Sequence, residues 1–251
     1  MTHQIFKGIF SLALVLASAA PTSAQRGQNR GQGRGINGPE AGSLCQAVIN
    51  SIPRQPLDST EAAGIVYLRE EEKLAHDVYA TFHAEWGMRI FDNISQSEER
   101  HFDVLKLLLD RYGLQDPAAN NPIGIFQNGG LQELYDSLIT EGKGSLQHAL
   151  RVGATIEELD IRDLEKAAAA TDNNDLKVVY QNLRLAAENH LRTFISQLKA
   201  AGENYVPQHI TQARFSEITA SPQGPGSGNG ARGRGRGFGS GNNGSCPWMN
   251  P

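Results

Sequence analysis

Six residues in the middle of the chain have the types and spacing of metal ligands. Glu98 and His101 stand in the order Glu-x-x-His within SEERH (97–101), three residues apart and therefore on one face of any helix that carries them. Glu157 and Asp160 repeat that spacing with two carboxylates, while Glu72 and His190 supply one further donor each. Four carboxylates and two imidazoles suit a pair of divalent first-row metals. Carboxylates that bridge neutralise the charge of two close ions, and each imidazole completes one of them. Hard-to-borderline oxygen and nitrogen donors favour iron or manganese, with zinc as an alternative, so the expected cofactor is a pair of Fe or Mn ions. Without metal the same residues would be buried like charges with raised pKa values.

Each residue also has an ordinary reading. Ser95-x-x-Glu98 is a capping-box pattern, in which Glu98 would serve backbone amides at a helix start. A Glu-x-x-His pair on a surface helix arises by chance, and a single inward histidine is more commonly a hydrogen-bonded core residue. Glu70, Glu71 and Glu72 form an acidic run, of which two members are expected to face water. His76 and His83 read as supporting or partly exposed residues near the inner edge of the same helix. Tyr79, two turns beyond Glu72, reads as a core tyrosine within reach of a ligand. The metal reading rests on the conjunction, because each of four helices aims at least one carboxylate or imidazole inward, where a core should be apolar.

Those helices follow from the apolar periodicity. The first opens at Asp58-x-x-Glu61 and runs to about Trp86 before Gly87, with Ile65, Leu68, Ala75, Tyr79, Phe82 and Trp86 inward. The second covers about 90–112 with Ile94, Leu105, Leu108 and Tyr112 inward, and ends at Gly113. The third spans about 145–170, with Ile156, Leu159, Leu164 and Ala167 inward, Glu158 pointing away and Gly153 as an interruption. The fourth starts at an Asp172/Asn173 cap and runs to Ala201, with Leu176, Tyr180, Leu183, Ala187, Leu191, Phe194 and Leu198 inward. Strand signals are nearly absent, so the fold class is all-α. Short links after the first and third helices make antiparallel neighbours, while residues 113–144 form a long link with a short helix near 131–140. Two hairpins joined by one long crossover is the ferritin-like arrangement of a four-helix bundle. An irregular helical domain with four long helices is the alternative.

The flanks differ in composition and charge. Seven of the 23 Lys and Arg residues lie in them, whereas all 27 Asp and Glu lie between Glu40 and Glu217, so the core is acidic and unsuited to nucleic acid. Residues 1–24 have the form of a secretory signal: Lys7, the apolar run Gly8 to Ala20, and Thr22-Ser23-Ala24 before a cleavage at Gln25. That run is shorter than the ~20 residues of a membrane span, so the expectation is an exported protein, periplasmic or secreted, with no membrane anchor after processing. The expected layout is signal 1–24, flexible flank 25–57, helical domain 58–218, and a disordered Gly/Arg-rich tail 219–251 containing RGRGRG. Two cysteines, Cys45 and Cys246, exclude a four-cysteine iron or zinc site and a dense disulfide scaffold. In an oxidising compartment the two could pair or stay apart.

Several stretches resemble a known family. LREEEKLAHDVY (68–79), IFDNISQSEERH (90–101), GATIEELDIRDL (153–164), DNNDLKVVYQNL through ENHLRTF (172–194) and YVPQHI (205–210) are similar, in order, to the bacterial and archaeal ferritin-like family catalogued as domain of unknown function 2202. The resemblance covers about 58–218 and implies a ferritin-like bundle with a dinuclear metal site, but no reaction. The wider ferritin and rubrerythrin group carries Glu, Glu-x-x-His, Glu and Glu-x-x-His on successive helices. Glu72, Glu98, His101 and His190 match that pattern, but Ala187 stands where the last Glu would be, Glu188 is rotated off the face, and Asp160 is the residue that could replace it. The expected function is an exported redox protein whose di-iron or di-manganese centre meets dioxygen or hydrogen peroxide and depends on an external reductant. The alternatives are a metal-binding or buffering protein without turnover, and a metal-free interaction module.

Overall fold

The computed structural model describes residues 39–221, all of which fall within one unit of the chain, residues 36–251. The signal-like segment, the Gly/Arg-rich stretch before residue 37, the tail beyond 221 and Cys246 lie outside the described residues. Among the described residues the structure is all-α, with α1 (Pro39–Ser51), α2 (Ser59–Trp86), α3 (Arg89–Tyr112), α4 (Gly129–Gly142), α5 (Leu146–Ala170), α6 (Asn174–Ala200) and α7 (Gln212–Ala220). None of these helices is long and apolar enough to cross a membrane.

Local chemistry sets the ends of the long helices. At the start of α2 the Asp58 carboxylate accepts from the Glu61 amide (2.8 Å) and the Glu61 carboxylate accepts from the Asp58 amide (2.9 Å), a reciprocal capping box. Gly87 (φ 64) and Gly113 (φ 69) take left-handed backbone conformations that end α2 and α3. Only two residues separate α2 from α3 and three separate α5 from α6, so each pair folds back as an antiparallel hairpin. The hairpins meet through α2 against α5 and α3 against α6, while α4, inside the long connection, packs on α2 and α5.

Four features depart from expectation. Gly153 does not interrupt α5, which is continuous. A Cβ there would lie 2.4 Å from Cε1 of Phe194, so the glycine makes room for the Phe194 ring of α6 against α5. Asn173 occupies the cap position of α6 without a capping side-chain bond. Its amide nitrogen instead donates to both Glu61 oxygens (2.9 Å each), and Thr171 Oγ1 donates to Glu61 as well, tying the α5–α6 turn to the start of α2. The stretch 39–51, expected as flexible flank, is helical. It buries Cys45 and Ile49 and is held where Arg111 donates to Asn50 Oδ1 (3.1 Å) and Ile52 O (2.6 Å); Cys45 is not a free thiol. Finally, Glu70 and Glu71 do not face water. Seven consecutive residues of α2, Arg69 to Ala75, are buried.

The last departure follows from the position of α2, which touches α3, α4 and α5. Its charged residues pin the long connection. Glu70 accepts from the amides of Gln127 and Asn128 (3.0 Å to the latter), Lys73 donates to Pro122 O (2.9 Å) and pairs with Asp77, and Asp77 accepts from the Gly124 amide (2.9 Å). Arg69 pairs with Asp116 (3.0 Å). The apolar core falls into two clusters. One contains Val78, Tyr79, Phe82, Phe91, Ile94, Leu191 and Phe194; the other contains Ile65, Leu68, Leu105, Leu108, Leu176, Tyr180 and Leu183. On α2 and α3 the residues between these stretches include Glu72, Glu98 and His101.

Candidate metal centre

Each long helix delivers its polar residues from its middle turns. Glu72 on α2, Glu98 and His101 on α3, and Glu157 and Asp160 on α5 are all buried, with 5% exposure or less, and the His190 side chain on α6 is 13% exposed. Two groupings result in which the donor atoms lie within 4.8 Å of one another: Glu72 with Glu98 and His101, and Glu98 with Glu157 and His190. Glu98 belongs to both. Its Oε2 is 2.6 Å from His101 Nδ1 and its Oε1 is 2.7 Å from His190 Nδ1. Glu72 Oε2 lies 3.3 Å from His101 Nδ1, and Glu157 Oε2 lies 3.5 Å from His190 Nδ1. The imidazole rings are nearly parallel, with centroids 5.7 Å apart.

The contacts are close, yet several are not hydrogen bonds. Glu72 Oε2, Glu98 Oε1, Glu157 Oε2 and His190 Nδ1 are buried without a hydrogen-bond partner, although Glu98 Oε1 and His190 Nδ1 are only 2.7 Å apart. Buried polar atoms are ordinarily satisfied, and leaving one unpaired costs roughly 1–3 kcal/mol. Four such atoms crowded into one layer without hydrogen bonds of good geometry are the arrangement expected of donors that share a third partner. Their oxygen and nitrogen chemistry fits a first-row divalent ion.

Electrostatics of the metal-free cluster agree. Burial pushes the Glu72 carboxyl up to about 7 against the opposing pull of His101, and burial also raises Glu157. Asp160 is raised well above the carboxylate range by burial and then by Glu72, Glu71, Glu157 and Glu98. For Glu98, burial acts upward, but His190 and His101 together hold it below the ordinary range. The imidazoles mirror this: burial would lower them, but Glu98 and Glu72 lift His101 to about 9, and Glu98 and Glu157 lift His190 to about 10. Protons retained on the two imidazoles and on the raised carboxyls thus do the neutralising that a cation would otherwise do.

Neighbouring residues define the limits of the cluster. The Tyr79 hydroxyl donates to Glu157 Oε1 (2.6 Å) and contacts Gly153 O (3.2 Å), which leaves Glu157 Oε2 turned toward His190 and Glu98. Asp160 lies in the same charged layer but outside both groupings. Ala187 is buried and α6 adds no carboxylate there, since Glu188 pairs with Arg184 and Arg214. His76 contacts Asp77 Oδ1 (2.9 Å) and His83 contacts Met88 O (3.2 Å), both away from the cluster. Besides Glu70, two further carboxylates expected in solvent are buried. Glu158 accepts from the amides of Gln208 (2.7 Å) and His209 (2.6 Å), and Glu71 neighbours Asp163 of α5. No periodicity signal marks either one, because both helices are packed on more than one side.

Comparison with known proteins covers the same span. Residues 61–222 match the family model described as an uncharacterized protein domain, DUF2202. The chain is 47% identical over 173 residues to the uncharacterized protein MJ0754 of Methanocaldococcus jannaschii, covering 69% of this chain and 94% of that protein. It is also similar to the crystal structure of hypothetical protein MJ0754 from Methanococcus jannaschii, with a TM-score of 0.68 and 46% identity over 68% of this chain and 98% of that one.

Proposed function

The chain belongs to the DUF2202 family, and we propose that it is an exported, ferritin-like metalloprotein whose cluster holds two iron or manganese ions for redox chemistry with dioxygen or hydrogen peroxide. The observation that supports this reading is the set of four unpaired donor atoms in two overlapping groupings that share Glu98. Glu72, Glu98 and His101 would hold one ion and Glu98, Glu157 and His190 the other, with Asp160 as the adjacent carboxylate. Bound iron or manganese supplies the one-electron steps and the affinity for a small oxidant that the side chains themselves lack. Tyr79 fixes the carboxylate of Glu157 by its hydrogen bond, and the two imidazoles must give up their protons when a cation enters. The apolar clusters beside the layer keep bulk water from it. With two cysteines the chain has no four-cysteine electron-transfer module, so turnover requires an external reductant.

Ala187 supports a second reading, a metal-binding protein without turnover, because it removes the carboxylate that α6 would contribute. Elemental analysis of the chain from Gln25 onward, after anaerobic Fe(II) loading, tests both. The expected result is about two ions per chain, lost from both positions in Glu98→Ala and from one in His101→Ala or His190→Ala, with helix content unchanged by circular dichroism. A folded wild-type chain that binds no metal would overturn the proposal. Bound iron whose absorption does not change on adding peroxide or dioxygen would leave the second reading.

A further inference from the structure

The carboxylates of α5 continue beyond the metal layer. Glu157, Asp160 and Asp163 recur at three-residue intervals, each step turning about 60° around the helix, from the buried layer toward a surface groove lined by Tyr67, Arg162 and Asp163. We propose that this run of α5 carboxylates, together with Glu71 of α2, is the route by which divalent cations reach the buried layer. The inference rests on the metal reading above.

Glu71 stands one residue from Glu72 and so points about 100° away from it around the helix. It is only 4% exposed, its Oε2 has no hydrogen-bond partner, and the groups that act on it most are the acids Asp163 and Glu72, with Arg162 opposing them more weakly. Asp160 is 3% exposed, and the groups acting on it, Glu72, Glu71, Glu157 and Glu98, are all acidic. A purely structural role accounts poorly for two buried acids facing further acids, since apolar residues of similar volume would pack there at no electrostatic cost. A cation in transit accounts for them. A hydrated divalent ion cannot cross an apolar core, but it can exchange its waters stepwise for hard carboxylate oxygens. At the mouth, Asp163 is 13% exposed and is held by Arg162 (2.6 Å) and Lys166 (3.0 Å). Arg162 grips both oxygens of Asp163, but its side chain and that of Lys166 are 31% and 67% exposed, so a divalent ion arriving from solvent competes with them at the surface and not in the core. Asp163 acts on Glu71, and Glu71 and Glu72 both act on Asp160, so the four acids are electrostatic neighbours between the groove and the layer.

The test is the rate of filling, separated from the amount filled. Co(II) is mixed anaerobically with the metal-free full chain, and its visible absorption in the nitrogen and oxygen site is followed by stopped flow. Glu71→Gln and Asp163→Asn are expected to reach the wild-type endpoint about tenfold or more slowly, the scale on which local charge alters ion association. Glu85→Gln, an exposed acid near the end of α2, is expected to fill at the wild-type rate. Wild-type rates in both route variants would overturn the proposal while leaving the metal site standing. A lowered endpoint would also overturn it, by making the substituted residue a ligand. Absence of any cobalt spectrum in the wild-type chain would overturn the metal reading and this route together.

Discussion

Replacing Gly153 with alanine tests whether the approach of α5 to α6 shapes the site. A Cβ at this position would sit 2.4, 2.6 and 2.7 Å from three carbons of the Phe194 ring. That ring is fully buried and confined by Tyr79 (5.4 Å between centroids) and Phe91 (6.0 Å), so it cannot swing aside. Overpacking costs ~1–3 kcal/mol, and this confinement puts Gly153→Ala near the upper end. Alanine in mid-helix returns ~1 kcal/mol. The net expectation is a loss of about 2 kcal/mol, or a melting temperature lowered by roughly 4–8 °C for a domain of this size. Gly64→Ala in α2 is the control, since a Cβ there meets nothing within 4 Å. It should gain ~1 kcal/mol from the same propensity term. Both variants are compared by reversible denaturation in metal-free buffer at one pH. Equal stabilisation by the two substitutions would refute the close packing of α5 on α6, and with it the placement of Glu157 one turn further along.

Other perturbations have defined signs. In the metal-free protein His101 and His190 titrate near 9 and 10, above the ordinary ~6.5. Their contribution to stability is therefore complete below about pH 6.5 and lost as pH rises through 9 to 10, and the raised Glu72 adds a loss in the same direction at lower pH. Thermal melts in chelator should fall from pH 6 to pH 10, while apparent metal affinity rises over the same range; a metal-free protein that melts higher at pH 9 than at pH 6 would contradict this. Glu70→Gln leaves one of the Gln127 and Asn128 amides without an acceptor, a cost of ~1–3 kcal/mol. Hydrogen exchange should quicken at those two amides, with metal content unchanged. Tyr79→Phe keeps the ring packing and removes the donor to Glu157. It should cost ~1 kcal/mol and leave two ions bound, which elemental analysis and melting would check.

The parts of the fold legible in the sequence are those governed by local rules. Asp58-x-x-Glu61 forms the box it spells, and Gly87 and Gly113 end the helices they follow. The inward stripes of α2 and α6 are largely the buried ones, because a period of 3.6 residues against one neighbour is a strong pattern. The same periodicity turns Glu72, Glu98, His101, Glu157 and His190 inward, where they form the two groupings, while Asp160 stays outside both. The surroundings of α2 are not legible. Projection onto a wheel assumes one wet face, and Glu70 and Glu71 lie on faces covered by the long connection and by α5. Glu158 is hidden by the segment after α6, whose return could not be read from periodicity. The short helix α7 is not legible because it buries only Phe215 and Ile218, too few side chains to leave a repeating signal.

Three adjacent carboxylates of α2 thus address three different neighbours: Glu70 the backbone before α4, Glu71 the acids of α5, and Glu72 the histidine of α3. Conservative exchange at one of these positions disturbs one contact. Insertion or deletion of a single residue is a different kind of change. It turns everything beyond it by about 100° and misdirects all three at once, together with Lys73 and Asp77. What the segment 69–77 stores is therefore a count more than a composition. Over evolutionary time its length should be the last property to vary, even in relatives where individual letters differ.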